Sequence, residues 1–229
     1  AEGLDRVAVA DNNRRLFGGR WALQDVLVAR GAALFSWLRM NKGDGVGGLG
    51  GSDWGASLVR PRRRRPSALP LLTRVRLETQ ALQHVAAPET HREPEPGFQP
   101  GLAHALGQIR RITNPGSTLY VISDFSTMDE KAMQYLNQLS QHNNVICCMV
   151  YDALEESLPV PGIYSITDGS HKGALNTHSN KARNRYREQF QLRMQGLESD
   201  LEKLRIQLIK IRTNQLVVEQ IRQWIAKSS

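Results

Sequence analysis

The stretch from Thr118 to Phe125, T-L-Y-V-I-S-D-F, constrains this chain more than any other. Leu119, Tyr120, Val121 and Ile122 form an apolar run of strand-forming residues, placed after the turn signal Asn114-Pro115-Gly116 and before the polar step Ser123-Asp124. A strand that is apolar on both faces must be covered on both sides. It therefore predicts the interior of a mostly parallel sheet flanked by helices. Open sheets of this kind collect ligands beyond the carboxyl ends of their strands. Ser123 and Asp124 fall at such an end, so contact chemistry is expected around Asp124.

At 229 residues the chain can hold one large α/β domain, and 1–229 is read as a single unit. A formal net charge of +8 favours an acidic partner: nucleic acid, an anionic membrane surface or an acidic protein face. No run of about 18 apolar residues exists to span a membrane. The opening A-E-G-L-D-R-V has neither the basic start and apolar middle of a signal peptide nor an initiator Met, and reads as a piece cut from something longer. Cys147 and Cys148 are adjacent within the apolar run Val145 to Tyr151, so their side chains point to opposite faces. Two buried thiols are expected rather than a disulfide or metal pair, which suits a reducing, cytoplasmic setting.

Along the chain, Val7 to Ala10 reads as a first strand running into the polar loop Asp11-Asn12-Asn13-Arg14-Arg15, and Trp21 to Leu38 as a helix with a wide buried face. Val46 to Leu49 and Ala56 to Val59 suggest a hairpin turning at Gly50-Gly51-Ser52-Asp53. Arg60 to Pro66, with five arginines and two prolines, reads as a solvated basic loop. Leu69 to Leu82 is a second helical pattern, and the proline-rich 86–100 segment a surface connection.

Gly101 to Ile112 is helical by its Leu102, Leu106 and Ile109 spacing, and a helix with stripe Ala132, Tyr135, Leu136 and Leu139 follows the central strand. Its N-cap is sought within Ser126 to Glu130. Val145 to Tyr151 is another strand, and Ile163 to Ile166, after the Pro159-Val160-Pro161-Gly162 turn, reads as an edge strand. The 180–229 segment reads as an extension of helix, strand and helix: a long amphipathic helix from Asn180, a strand at Ile206 to Ile211, and a helix from Leu216 to Ala226.

This order of elements resembles that of a von Willebrand factor type A domain. More specifically, the chain resembles the bacterial family known as domain of unknown function 58. The resemblance is carried by Ala32 to Trp37 with Lys42 to Gly48, Val59 to Arg62 with Leu71-Leu72, Val121-Ile122-Ser123-Asp124-Phe125, Val150-Tyr151-Asp152 with Leu158-Pro159, and Tyr164 to Gly169. It implies a non-catalytic, protein-binding adaptor working with a MoxR-type AAA+ ATPase and a client protein. Longer relatives carry membrane helices ahead of the domain.

The type A fold also implies a divalent-cation site built from an Asp-x-Ser-x-Ser loop, a Thr and a later Asp. Here Asp11 matches the first position and Asp124 the last, but Asn13 and Arg15 replace the two serines and the Thr is not identifiable. Asn13 can offer a carbonyl oxygen, whereas Arg15 brings charge and no acceptor. Two readings follow: a degenerate Mg²⁺ site at Asp11, Asn13 and Asp124, or no cofactor, with Asp11 paired to Arg15 and Asp124 capping its own loop. The candidate partner-binding residues are Asp11, Asn12, Arg15, Ser123 and Asp124, with Arg62, Arg63 and Arg64 from the basic loop.

Other constellations carry less. No acidic pair and closing Lys accompany Asp124 as in a receiver domain, and Gly45 to Gly51 lacks the Lys-Ser/Thr ending of a P-loop. His171 and His178 have no neighbouring ligand at metal spacing, and Asp5, Asp25 and Asp44 find no Ser-His pairing for a hydrolase triad. The arginine loop could meet phosphates, with Trp54 alone as a stacking platform, so a basic nucleic-acid-binding module is the alternative to the adaptor. Lys181, Arg183, Arg185 and Arg187 crowd the start of the long helix, where the dipole disfavours cations. A start that docks on an acidic partner, or a helix beginning earlier, would account for them.

Overall fold

The computed structural model describes residues 5–10, 45–52, 55–62, 73, 101–167 and 172–228. Eight strands are assigned among them: β1 (Asp5–Ala10), β2 (Gly45–Ser52), β3 (Gly55–Arg62), β4 (Thr118–Ser123), β5 (Asn144–Tyr151), β6 (Ile163–Thr167), β7 (Lys172–Asn176) and β8 (Gln207–Arg212). The helices are α1 (Leu102–Ile112), α2 (Glu130–Ser140), α3 (Ala153–Glu156), α4 (Asn180–Lys203) and α5 (Val217–Ser228). The expected helix at 21–38 and the 86–100 connection lie outside the described residues, as does the expected helix at 69–82 apart from Thr73, which is helical.

Six strands form one sheet in the order β3-β2-β1-β4-β5-β8. Every pairing is parallel except β2 with β3. This is the mostly parallel, type A-like α/β sheet that the T-L-Y-V-I-S run predicts, and all six residues of β4 are buried. Register separates its faces cleanly. Leu119 and Val121 lie level with Val145 and Cys147, and these pack with Met149 against α1, α2 and α4. Tyr120, Ile122, Ile146, Cys148, Val150, Ile209 and Ile211 turn the other way, onto Val217 and Ile221 of α5. The alternation places Cys147 and Cys148 in different halves of the core as free thiols, and burial pushes both well above the ordinary thiol value.

Local chemistry sets the helix ends. Asp129 caps α2 by accepting the Ala132 N–H at 2.6 Å, and Ser179 caps α4 through the Ala182 N–H at 3.2 Å. The end of α4 is a Schellman turn. Arg205 takes a left-handed φ of 57°, its N–H donates to Glu202 O at 2.9 Å, and the Ile206 N–H donates to Leu201 O at 2.9 Å. Buried Leu201 and Ile206 complete it and aim the chain into β8. Gly107 gives α1 and α2 their close approach, since a Cβ there would meet the Tyr135 ring at 3.2 Å.

Four expectations are corrected. The glycine run is strand, not turn: Ser52 pairs with Gly55, which leaves only residues 53 and 54 for the connection. Arg60-Pro61-Arg62 is strand as well. Proline is tolerated there because β3 is the outermost strand, and the register shift between Val46 and Gly48 marks a bulge that absorbs an extra residue of β3. The Ile163 to Ile166 strand does not edge the main sheet; as β6 it pairs with β7 in a two-stranded hairpin. The sequence K-G-A-L-N of β7 has no β-branched residue, so only its pairing with β6 makes it a strand. Finally, the 180–229 segment is not an appendage, because β8 joins the main sheet in parallel beside β5.

At that edge the Gln220 amide brackets β8. It accepts the Arg212 N–H at 2.8 Å and donates to Arg212 O at 3.0 Å.

Candidate functional site

Where β4 leaves the sheet, three residues make a tight, half-buried corner. Ser123 is fully buried, and its Oγ accepts the Phe125 N–H at 3.0 Å. Asp124 follows, and its Oδ1 accepts the Ser126 N–H at 3.0 Å. Next in the chain, the backbone of Phe125 takes a φ of 53°, the left-handed region that bulky residues rarely occupy, while its ring is buried in the core beneath. The two side-chain acceptors and the anchored ring hold this conformation in place.

Burial of Asp124 raises its carboxyl above the ordinary value, while hydrogen bonds from the Ser126 backbone and hydroxyl and the charge of Arg193 pull it back. The loop is braced on both sides: the Leu102 N–H donates to Thr127 Oγ1 at 3.3 Å, and the Met128 N–H to Phe125 O at 3.3 Å.

The neighbouring strand ends share this rim. β1 runs parallel to β4 with Ala10 level with Ile122, so the two strands finish together, as the pairing of Asp11 with Asp124 requires. Asp11, Asn12, Asn13 and Arg15 themselves lie outside the described residues, as do Arg63 and Arg64. On the other side β5 ends at Tyr151, and the next residue, Asp152, caps α3 in a reciprocal capping box. The Leu154 N–H donates to Asp152 Oδ1 at 2.8 Å, and the Asp152 N–H to Glu155 Oε1 at 2.9 Å. Arg193 links the two parts, with Glu155 Oε2 at 3.6 Å from its guanidinium and the Phe190 ring centroid at 5.4 Å. Arg212, at the end of β8, meets Glu156 at 2.8 Å. That contact is one of charge without hydrogen-bond alignment, for Glu156 Oε2 and Arg212 Nε are both buried with no hydrogen-bond partner.

Arg62 does not belong with Asp124. It lies opposite Val46, which is level with Arg6 and through it with Thr118, the first residue of β4. Five residues of strand, roughly 17 Å, separate that level from Ser123. Because β3 runs antiparallel, Arg62 lies toward the rim remote from Asp124, and the two residues stand at different ends of the sheet.

Of the three residues expected to hold a cation, Asp124 lies among the described residues, and one of its oxygens is occupied by the Ser126 N–H. Hard cations take six or more oxygens, so a Mg²⁺ site here depends on Asp11 and Asn13. Among the described residues no group of three or more His, Cys, Asp or Glu side chains is placed to hold a metal ion. His178 is exposed, and His171 lies outside the described residues. The residue that sequence reasoning missed is Thr177. It is fully buried and ties the β6–β7 hairpin to the start of α4. No local motif announces it, because its partners lie 15 and 17 residues away.

No curated protein matches the chain. Among solved structures it is similar to the conserved hypothetical protein BatB from Bacteroides thetaiotaomicron, at 15% identity over 97% of this chain and 98% of that chain, with a TM-score of 0.49. It is similar to the SpRpn10 VWA domain at 11% identity over 96% and 95%, TM-score 0.42. A von Willebrand factor type A protein from Catenulispora acidiphila matches at 13% identity over 65% of this chain and 34% of that one, TM-score 0.37. The family model described as protein of unknown function DUF58 matches residues 6–196, and the chain belongs to that family.

Proposed function

We propose that the chain is a non-catalytic protein-binding module whose contact end is the rim carrying Ser123 and Asp124. The observation that carries this reading is a half-buried carboxylate fixed at the end of the central strand by Ser126, on a left-handed turn at Phe125. A desolvated acid held in one orientation suits a partner's cation or hydrogen-bond donor, and strained backbone of this kind concentrates at contact sites. The resemblance supplies the partner, a MoxR-type AAA+ ATPase with a client protein, in a reducing compartment that keeps Cys147 and Cys148 as thiols. No described helix is long and apolar enough to cross a membrane.

The test is calorimetric titration of the full chain into a MoxR-type ATPase encoded beside it. Wild-type binding that weakens about tenfold or more in Asp124→Ala, the scale of losing a buried charged contact, supports the reading. Equal binding by the two proteins overturns it. Titration with Mg²⁺ and Mn²⁺ decides the cation: heat that disappears in Asp124→Ala assigns it to the rim, and no heat in either protein removes it from the mechanism. Binding of generic DNA that falls steeply with salt would replace the adaptor with the nucleic-acid module.

A further inference from the structure

The start of α4 overhangs the sheet. The helix has 24 residues and a length of about 36 Å, yet its first buried residue is Phe190. The ten residues before it, about 15 Å of helix, contribute no buried side chain to the core. They carry Lys181, Arg183, Arg185 and Arg187, with no acid before Glu188. The helix begins at its Ser179 cap and no earlier, so these cations do sit in the first turns, where the dipole opposes them.

Arg183 is used internally, donating to Thr177 O and His178 O and to Asn180 Oδ1. Lys181, Arg185 and Arg187 are exposed, and none makes an ion pair or hydrogen bond among the described residues.

Beside this overhang stand two bare aliphatic side chains, Val160 and Ile163, which are 73% and 71% exposed. Thr177 binds the two features into one body. Its hydroxyl accepts the Gly162 N–H at 3.0 Å and lies 2.8 Å from Val160 O, its own N–H donates to Gly162 O at 2.9 Å, and its carbonyl receives Arg183. The Tyr186 hydroxyl donates to Leu154 O at 3.1 Å and fixes the overhang to the end of the sheet that carries α3. Exposed cations on both sides of a rigid helix start, Lys181 and Arg185 one turn apart on one side and Arg187 on the other, next to uncovered apolar residues, are complementary to an acidic chain with aliphatic side chains.

We propose that the first turns of α4, with Val160 and Ile163, form a docking surface for an acidic polypeptide segment bearing aliphatic residues. This rests on the reading of the chain as a protein-binding module and gives it a second contact point and a partner chemistry. A polypeptide is favoured over single-stranded nucleic acid because the exposed apolar side chains are aliphatic, while the two aromatic rings of the patch are half-buried and committed through their hydroxyls, Tyr186 to Leu154 O and Tyr164 to Val160 O. Two aliphatic side chains are also a small apolar face for holding a bilayer, where bulky aromatic and leucine residues do that work.

The test uses the full chain and a fluorescent synthetic peptide of Glu and Leu, followed by anisotropy at physiological salt. Wild type should bind it, and Lys181→Glu/Arg185→Glu/Arg187→Glu should weaken binding by about tenfold or more. The charge reversal places carboxylates where the dipole favours them, so its Tm should hold or rise, which separates lost binding from lost folding. Val160→Ser/Ile163→Ser should weaken binding several-fold, since each buried aliphatic contact is worth a factor of a few. Absence of peptide binding, equal binding by wild type and both variants, or tighter binding of oligo-dT or phosphatidylserine vesicles than of the peptide would each overturn the proposal. The assay contains no ATPase, so failure at the Asp124 rim and failure at this surface are read independently.

Discussion

Thr213 donates its hydroxyl hydrogen to Asp152 Oδ2 at 2.6 Å, joining the end of β8 to the end of β5 across 61 residues of chain. The Thr213 N–H donates to Tyr151 O at 3.0 Å beside it. Asp152 thereby serves two structures at once, since its other oxygen accepts from Leu154 in the cap of α3. A single carboxylate sets where the C-terminal strand stops and where the next helix begins.

Thr213→Val removes the hydroxyl and keeps the shape. A hydrogen bond to a charged, half-buried acceptor is worth roughly 1.5–3 kcal/mol, and partial exposure places this one near the lower figure. Urea unfolding at neutral pH should show a lower midpoint with an unchanged m-value. Asp152→Ala should cost more, because the helix cap goes with it, and a double-mutant cycle should show that the two losses do not add.

The Asp124 carboxyl titrates above its ordinary 3.8, and burial is the main cause. The folded state therefore binds a proton more readily than the unfolded chain does. Above the folded pKa the buried charge lowers stability, and that loss is recovered as pH falls through the folded pKa toward 3.8. Asp124→Asn keeps an acceptor for Ser126 without the charge. Its Tm should exceed wild type at pH 7, with the gap closing on acidification toward the unfolded pKa. A gap that is absent at pH 7 or widens at low pH would contradict the assignment.

Arg205 is exposed and holds the left-handed position that ends α4. A side chain in that region costs about 1–2 kcal/mol, part of which glycine returns through its freer unfolded chain. Arg205→Gly should raise stability by about 0.5–1 kcal/mol, visible as a higher urea midpoint.

Leu201 and Leu192 lie on the same helix with opposite environments, the first fully buried and the second largely exposed. Leu201→Ala should cost about 2–5 kcal/mol. Leu192→Ala should stay within about 0.5 kcal/mol. Chemical denaturation of the pair checks that α4 packs through this face.

The central run T-L-Y-V-I-S was legible because burial on both faces leaves an uninterrupted apolar signature, and V-I-C-C-M-V repeats it in β5. The rim position of Asp124 followed from those strands alone. Its distance from Arg62 did not. That depends on the direction of β3, which is decided by pairing and not by composition. Pro61 was read as a breaker because its tolerance depends on lying at a sheet edge, and β7 was invisible because its residues become a strand only beside β6. The role of Thr177 was hidden for the same reason. A threonine looks alike in any loop until distant chain folds onto it.

The Gln220 bracket on Arg212 has a consequence for how molecules of this kind coexist at high concentration. An outermost β-segment with idle amide and carbonyl groups invites another chain to lie alongside and polymerise. Here the Arg212 N–H and C=O, at the end of that segment, already have partners from the chain's own last helix, at 2.8 and 3.0 Å. Replacing Gln220 with leucine should leave the monomer folded but shorten the lag before fibrils form, because the amide acts as a stopper against self-assembly.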